Sequence, residues 1–278
     1  VGRGSPLPKH ETPTYTVVSC HYGDLFWIRH LLDEVARHSD ERVKEAVIVD
    51  QSRGSAKEIS AMPLVREVLT FEPDAQQIAV EGHDHPYALD RAIHDTVFTT
   101  SHVIVMDSDA FPVSAGWLDA MDDISLALVP GSNKNTHPCF MVFPVADIPL
   151  VSFSEGYLER ASRKGAPDTG RRVGVQLKEA GRHVTLLEHT AAFNGYRGSF
   201  YLDATVYHHG HGSFMAGDHA QYKGFVSQAS EKLYRRRIQS GHFTLSPLDI
   251  AGLFIRYVWR RFANRIRMAV LGPAAKPE

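Results

Sequence analysis

The chain has 278 residues, of which 43% are hydrophobic, enough for a sizeable core in one large domain or two small ones. Thirty Lys and Arg against thirty-two Asp and Glu leave a formal charge of -2, so no global field recruits nucleic acid. Two distant cysteines, Cys20 and Cys139, are no disulfide scaffold, and no apolar run reaches the roughly eighteen residues of a spanning helix, so a reducing, cytoplasmic setting is expected.

Residues 1–14 lack the apolar stretch of a signal peptide and read as a flexible arm. Tyr15 to Ser19 is a short β-branched strand, and Leu25 to His38 carries apolar residues at helical spacing. Val43 to Val49 predicts a second strand ending at Asp50, then a turn from Gln51 to Ala56 and a strand from Val65 to Phe71. Tyr87 to Phe98 places Ala88, Leu89, Ala92, Ile93 and Val97 on one helical stripe, and His102 to Met106 is a continuous apolar strand of the buried, parallel type. Trp117 to Ile124 predicts a helix, and Ala127 to Pro130 and Cys139 to Phe143 predict strands separated by the polar loop Gly131 to Pro138. Gly170 to Ala180 reads as a helix closed by Gly181, followed by a strand from His183 to Leu187.

Strands alternating with helices predict an α/β fold with a mostly parallel central sheet, which binds ligands in the crevice beyond the carboxyl ends of its strands. The expected organisation is an arm at 1–14, a domain at 15–246 with a nucleotide half (15–112) and an acceptor half (113–246), and a tail at 247–278. Asp107-Ser108-Asp109 stands where the buried strand His102 to Met106 runs out. Two carboxylates so placed hold a hard divalent cation, Mg²⁺ or Mn²⁺, which can bridge a diphosphate and neutralise the charge left on it. The alternative is a turn or helix cap, which Asp and Ser also favour.

Arg91 to Leu118 resembles the GT-A fold glycosyltransferases, above all family 2. Their pattern runs Ala-Arg-Asn, a helix, an apolar strand, Asp-x-Asp and then Pro-Gly-Trp-Leu; here Arg91, Asp107-Ser108-Asp109 and Gly116-Trp117-Leu118 carry it. Thr16 to Tyr22 is similar to the family's first strand and donor loop, and Val47 to Ser52 to its second strand with an acidic base-binding turn. Asp168 to Gly181 and Val206-Tyr207-His208-His209-Gly210 look like its acceptor-side helix and metal-binding histidine motif. Cys20 stands where the family has proline, and Gln51 where it has a second acid.

The resemblance implies a GT-A, Rossmann-like fold and transfer of a hexosyl group, with inversion, from a UDP- or GDP-linked sugar to an acceptor hydroxyl. Asp107 contacts the donor and, with Asp109 and a histidine, holds Mn²⁺ or Mg²⁺; His208 is preferred, and His209 is the rival because alternation along a strand points the two apart. Asp50 is expected at the base or ribose, or else simply initiates a turn. Arg91 is expected on the donor diphosphate, or else on the surface. Tyr22 stacks on the base or packs in the core. Asp168 is the candidate general base, or an N-cap.

From Ala251 to Gly272, Arg256, Arg260, Arg261, Arg265 and Arg267 interleave with Phe254, Ile255, Val258, Trp259, Phe262 and Ile266, with no acid between them. At about 100° per residue this is a basic amphipathic helix. It suits peripheral contact with the inner face of a plasma membrane and a glycolipid or cell-envelope polysaccharide acceptor, or else docking on its own domain or on a twin subunit in a homodimer. The rival functions are a sugar nucleotidyltransferase, which would show a Gly-rich N-terminal loop, and a non-catalytic sugar-nucleotide-binding protein.

Overall fold

Val17 and Val18 are consecutive and fully buried, so the first strand has protein on both of its faces. In the computed structural model it is β1 (Tyr15–His21), followed by α1 (Phe26–His38), β2 (Val43–Asp50), α2 (Ala56–Ser60), β3 (Val65–Thr70), α3 (His85–Asp95) and β4 (His102–Met106). The structure describes residues 12–52, 54–71, 85–122, 124–130, 136–155, 169–188, 198–210 and 225–243, and, between 246 and 263, all but 247, 250, 253, 257, 260 and 261.

Alternate residues of these strands go to opposite faces. Val17, Ile48, Ile104 and Met106 pack with Trp27, Ile28, Leu31, Leu32 and Val35 of α1. Val18, Val47, Val49, Val103 and Val105 pack with Ala88, Leu89, Ala92 and Ile93 of α3. A strand covered on both sides has to be apolar throughout, and this is why β4 reads as an unbroken hydrophobic run. Each such side chain contributes about 1.5–3 kcal/mol on burial.

The second half supplies β5 (Ala110–Pro112), β6 (Ala127–Pro130), β7 (Thr136–Pro144), α4 (Val173–Glu179), β8 (Thr185–Leu186), β9 (Ser199–Tyr201), β10 (Val206–His208) and α5 (Phe225–Gln239). The main sheet has the order β3-β2-β1-β4-β7-β6-β8. β3, β2, β1 and β4 are mutually parallel, β7 is antiparallel to β4 and β6, and β8 is parallel to β6. The fold is therefore α/β with a mostly parallel central sheet flanked by helices. β5, β10 and β9 form a small antiparallel sheet.

The order in which strands are added reverses about β1: its own crossover runs through α1 to β2 on one side, while β4 lies parallel to it on the other. Such a switch point opens a crevice at the carboxyl ends of the two strands.

Four expectations are corrected. Among the described residues of 117–124 the helical element is a 3₁₀ turn at Asp119–Met121 and not the predicted α-helix. Gly116 enters it with φ +84°, and Arg42 ties down Asp119 and Asp122 from the start of β2. Val97 leaves the predicted stripe, because α3 ends at Asp95, and is 82% exposed. β7 starts at Thr136, inside the predicted loop, where the buried Thr136 hydroxyl donates to the Gly170 carbonyl at 2.6 Å. Gly170 has φ +70°, outside the helical region, so α4 begins only at Val173.

Candidate metal centre

β4 delivers Asp107 to the crevice at its carboxyl end. The Asp107 N–H donates to the Cys139 carbonyl at 3.3 Å, and the Ala110 N–H donates to the Asp107 carbonyl at 2.9 Å, closing a tight turn over Ser108 and Asp109. The chain then leaves the main sheet as β5, which pairs with β10 so that His208 stands opposite Ala110. The His209 N–H donates to the Asp109 carbonyl at 2.9 Å, extending that register. The small sheet thus brings together residues a hundred positions apart in sequence.

The result is a cluster of Asp107, Asp109 and His208 whose ligand atoms all lie within 4.8 Å of one another. His208 Nε2 is 3.5 Å from Asp109 Oδ1 and 3.8 Å from Asp107 Oδ2. Two further imidazoles flank Asp107: His137 Nδ1 at 3.9 Å and His85 Nε2 at 4.0 Å. The buried Cys139 thiol interacts with His137, His208 and Tyr201, and the Cys139 N–H donates to His137 Nδ1 at 3.1 Å.

The electrostatics follow from two carboxylates and a thiol sharing a largely buried site. Burial opposes charge on His208, but Cys139 and Asp109 outweigh it and lift its pKa well above the ordinary imidazole value. His137 is pushed up to about 9 against its own burial, by the Cys139 hydrogen bond and the Asp107 carboxylate. Burial raises the Cys139 thiol, yet the two imidazoles bring it below its usual value. Burial raises the Tyr201 phenol, and Cys139 raises it further. The cluster therefore demands positive charge. Two carboxylates and an imidazole suit a hard or borderline divalent cation, and Mn²⁺ or Mg²⁺ fits this donor set.

The other predicted residues lie elsewhere. His209 turns away from the cluster: it is fully buried, with Nε2 3.2 Å from Glu231, Nδ1 3.1 Å from the Tyr207 hydroxyl, and its ring stacked on Trp27 at 4.7 Å. Its reading as a ligand is corrected, because both ring nitrogens are engaged in the core. Asp50 is also fully buried and spent locally. It accepts from the Ser52 N–H at 3.0 Å, the Ser52 hydroxyl and the Ser55 N–H at 2.8 Å, so it shapes the turn before α2.

Arg91 pairs with Asp95 at 3.2 Å on the exposed face of α3. At 1.5 Å per residue it sits about 9 Å along the helix from His85 and on a different side, so it stands apart from the cluster. Its neighbour Asp90 faces inward instead, holding Ser152, Phe153 and Ser154. Tyr22, just past β1, is 37% exposed. Asp168 lies outside the described residues.

Sequence reasoning missed His85, His137 and Cys139. His137 and Cys139 stand two apart, the spacing that puts both on one face of a strand. That signal was hidden because His137-Pro138 reads as loop. His85 shows no comparable signal.

No protein-family model matches the chain, and no curated protein matches it in sequence. In structure it is similar to the mannosyltransferase PcManGT from Pyrobaculum calidifontis in complex with GDP-Man and Mn²⁺, at 15% identity over 64% of this chain with a TM-score of 0.42. It is also similar to 4-diphosphocytidyl-2C-methyl-D-erythritol synthase from Anaerococcus prevotii, at 12% identity over 63% of this chain and 86% of that one, with a TM-score of 0.37. The chain spans 55% of the length of the mannosyltransferase.

Proposed function

We propose that the chain is a metal-dependent glycosyltransferase of the GT-A kind that moves a hexosyl group from a UDP- or GDP-linked sugar to an acceptor hydroxyl. The observation that carries this reading is the convergence of Asp107, Asp109 and His208 at the carboxyl end of β4, beside the switch point of a parallel sheet. Crevices at such points take nucleotides, and an Asp-x-Asp turn there is placed to meet a diphosphate.

Asp107, Asp109 and His208 are the residues that hold Mn²⁺ or Mg²⁺ in this reading. The cation supplies neutralisation of the negative charge that grows on the departing nucleoside diphosphate. Tyr22, exposed at the mouth beyond β1, is the surface on which the donor base stacks. His85 and His137 are second donors of hydrogen bonds toward the same anionic group, being close to Asp107 yet outside the three-residue cluster. Asp168 is the proposed base for the acceptor hydroxyl, and inversion follows from the family that the sequence resembles. A cytoplasmic setting with a carbohydrate or glycolipid acceptor belongs to the same proposal.

Calorimetry with UDP and GDP in the presence of Mn²⁺ tests it. The reading expects binding of one of them, lost on adding EDTA and lost in Asp109→Ala, and transfer or slow hydrolysis of the matching sugar nucleotide that Asp109→Ala abolishes. Absence of binding by either nucleotide to the folded, Mn²⁺-supplied wild-type chain overturns it. Binding without turnover of any sugar nucleotide leaves the non-catalytic scaffold instead.

A further inference from the structure

Beyond α5 the chain starts another helix, and its first turn is fixed by side chains. The Ser246 N–H donates to Asp249 Oδ2 at 2.9 Å, and the Asp249 N–H donates to the Ser246 hydroxyl at 3.2 Å, a reciprocal N-terminal cap. Arg237 of α5 donates to the same Asp249 carboxylate at 2.5 Å and so anchors the new helix to the domain. The described positions from 248 to 263 are helical.

On this anchored helix Phe254, Ile255, Val258, Trp259 and Phe262 recur at the spacing of one face. They are 66, 66, 49, 68 and 53% exposed, so the folded domain does not cover them. Trp259 and Phe262 stack on each other, with ring centroids 5.8 Å apart, and extend the apolar surface outward. A monomer in water has no reason to leave five large apolar side chains side by side on one helix face. Among the described residues, no helix is long and apolar enough to cross a membrane.

Charge selects the occupant. Arg256 lies off the apolar arc, and the sequence adds Arg260, Arg261, Arg265, Arg267 and Lys276, with no acid between 250 and 277. The remainder of the chain is correspondingly acidic, since the total is -2. Apolar anchors beside a one-signed basic set match an anionic lipid interface, with the rings at acyl depth and the guanidinium groups among headgroup phosphates. We infer that the helix that begins after Ser246, helical at its described positions from 248 to 263, is a peripheral docking element for an anionic membrane surface, joined to the α/β domain through the Arg237–Asp249 pair. This inference is independent of the proposed chemistry, because nothing in it requires a nucleotide or a metal.

The test uses the full-length chain and vesicles of phosphatidylcholine, alone or mixed with phosphatidylglycerol. Each Arg near an anionic surface strengthens binding roughly fivefold, so co-sedimentation with the mixed vesicles is expected to exceed that with the neutral ones by more than about tenfold and to fall as salt is added. Trp27 and Trp117 are buried, so the exposed Trp259 dominates any blue shift of tryptophan emission when those vesicles are added. The variant Trp259→Glu/Phe262→Glu alters only exposed positions; it is expected to keep the circular dichroism and nucleotide affinity of the wild type while losing vesicle binding. Equal, weak sedimentation with both vesicle types overturns the inference. So does a face that instead drives concentration-dependent dimerisation, abolished by the same double variant, with no vesicle binding.

Discussion

His208 and His209 are consecutive, yet their rings serve opposite sides of the chain: Nε2 of His208 lies 3.5 Å from Asp109, and Nε2 of His209 lies 3.2 Å from Glu231. A single strand step separates a cleft function from a core function. His208→Ala is expected to weaken Mn²⁺ binding by at least about 100-fold, since even the outer partners of a metal site are worth 10–100-fold, while leaving the thermal midpoint close to that of the wild type. His209→Ala is expected to do the reverse. It removes the stacked ring over Trp27 and strips the buried Glu231 of one partner, which costs about 3 kcal/mol and lowers the unfolding midpoint. Metal titration and chemical denaturation of both variants separate the two roles, and a metal defect of equal size in each variant would contradict the assignment.

Asp90 and Arg91 make a second such pair on α3. The Asp90 carboxylate accepts from Ser152, Phe153 and Ser154 and pins the segment that follows β7, while Arg91 pairs with Asp95 on the exposed side of the helix. Asp90→Ala is expected to destabilise the fold by about 2–3 kcal/mol, because two backbone N–H groups and two hydroxyls lose a charged acceptor. Arg91→Ala is expected to stay within about 0.5 kcal/mol of the wild type and to leave nucleotide affinity within twofold, a roughly neutral surface change. A tenfold or greater loss of UDP or GDP affinity in Arg91→Ala would return the arginine to the donor site.

What the sequence made legible depended on the range of the forces involved. β1, β2 and β4 could be read because burial on both faces imposes an apolar run that needs no partner to be recognised, and α1 and α3 because one covered face imposes a stripe. The Asp-Ser-Asp turn and the histidine pair were visible as residue types, but their meeting depends on β5 pairing with β10, a contact across about a hundred residues. Residues 117–124 have helical composition, and their described part still forms a 3₁₀ turn, since Arg42, far away in sequence, holds Asp119 and Asp122. Asp50 could not be resolved from sequence at all, because an acid at a strand end looks the same whether it meets a ribose or its own backbone. The resemblance favoured the ribose, and the hydrogen bonds that the structure gives Asp50 go to its own turn.

Asp50 gives the third prediction. Its oxygens receive the N–H groups of Ser52 and Ser55, so Asp50→Ala leaves two donors of the turn before α2 without an acceptor in a buried place. The expected loss is about 2 kcal/mol of stability, with Mn²⁺ affinity unchanged because Asp50 stands outside the cluster. Asp50→Asn keeps one acceptor oxygen and is expected to recover roughly half of that loss. Urea titration against metal titration checks it, and a variant with full stability but no nucleotide binding would restore the ligand role.

His30 sets a pH dependence that owes nothing to the metal cluster. On α1, its ring packs edge-on against Phe111 at 4.4 Å and stacks on Phe26 at 5.9 Å, and its Nε2 has no hydrogen-bond partner. Burial first, then the charge of Arg37, lowers its pKa to about 4. Glu34, 3.8 Å from Nδ1, is occupied by Arg37 and His38 and does not offset this. The unfolded imidazole titrates near its ordinary value of about 6.5, so between about pH 6.5 and pH 4 the unfolded state binds the proton that the folded state refuses. Stability is therefore complete above about pH 6.5 and falls as the pH drops through that window, by roughly 2 kcal/mol between pH 7 and pH 5 from this group. His30→Phe keeps a ring in the same apolar place without a titrating nitrogen, and the gap between its denaturation free energies at pH 7 and pH 5 is expected to be smaller than that of the wild type by about that amount. An unchanged gap in His30→Phe would mean that the acid sensitivity of the fold arises elsewhere.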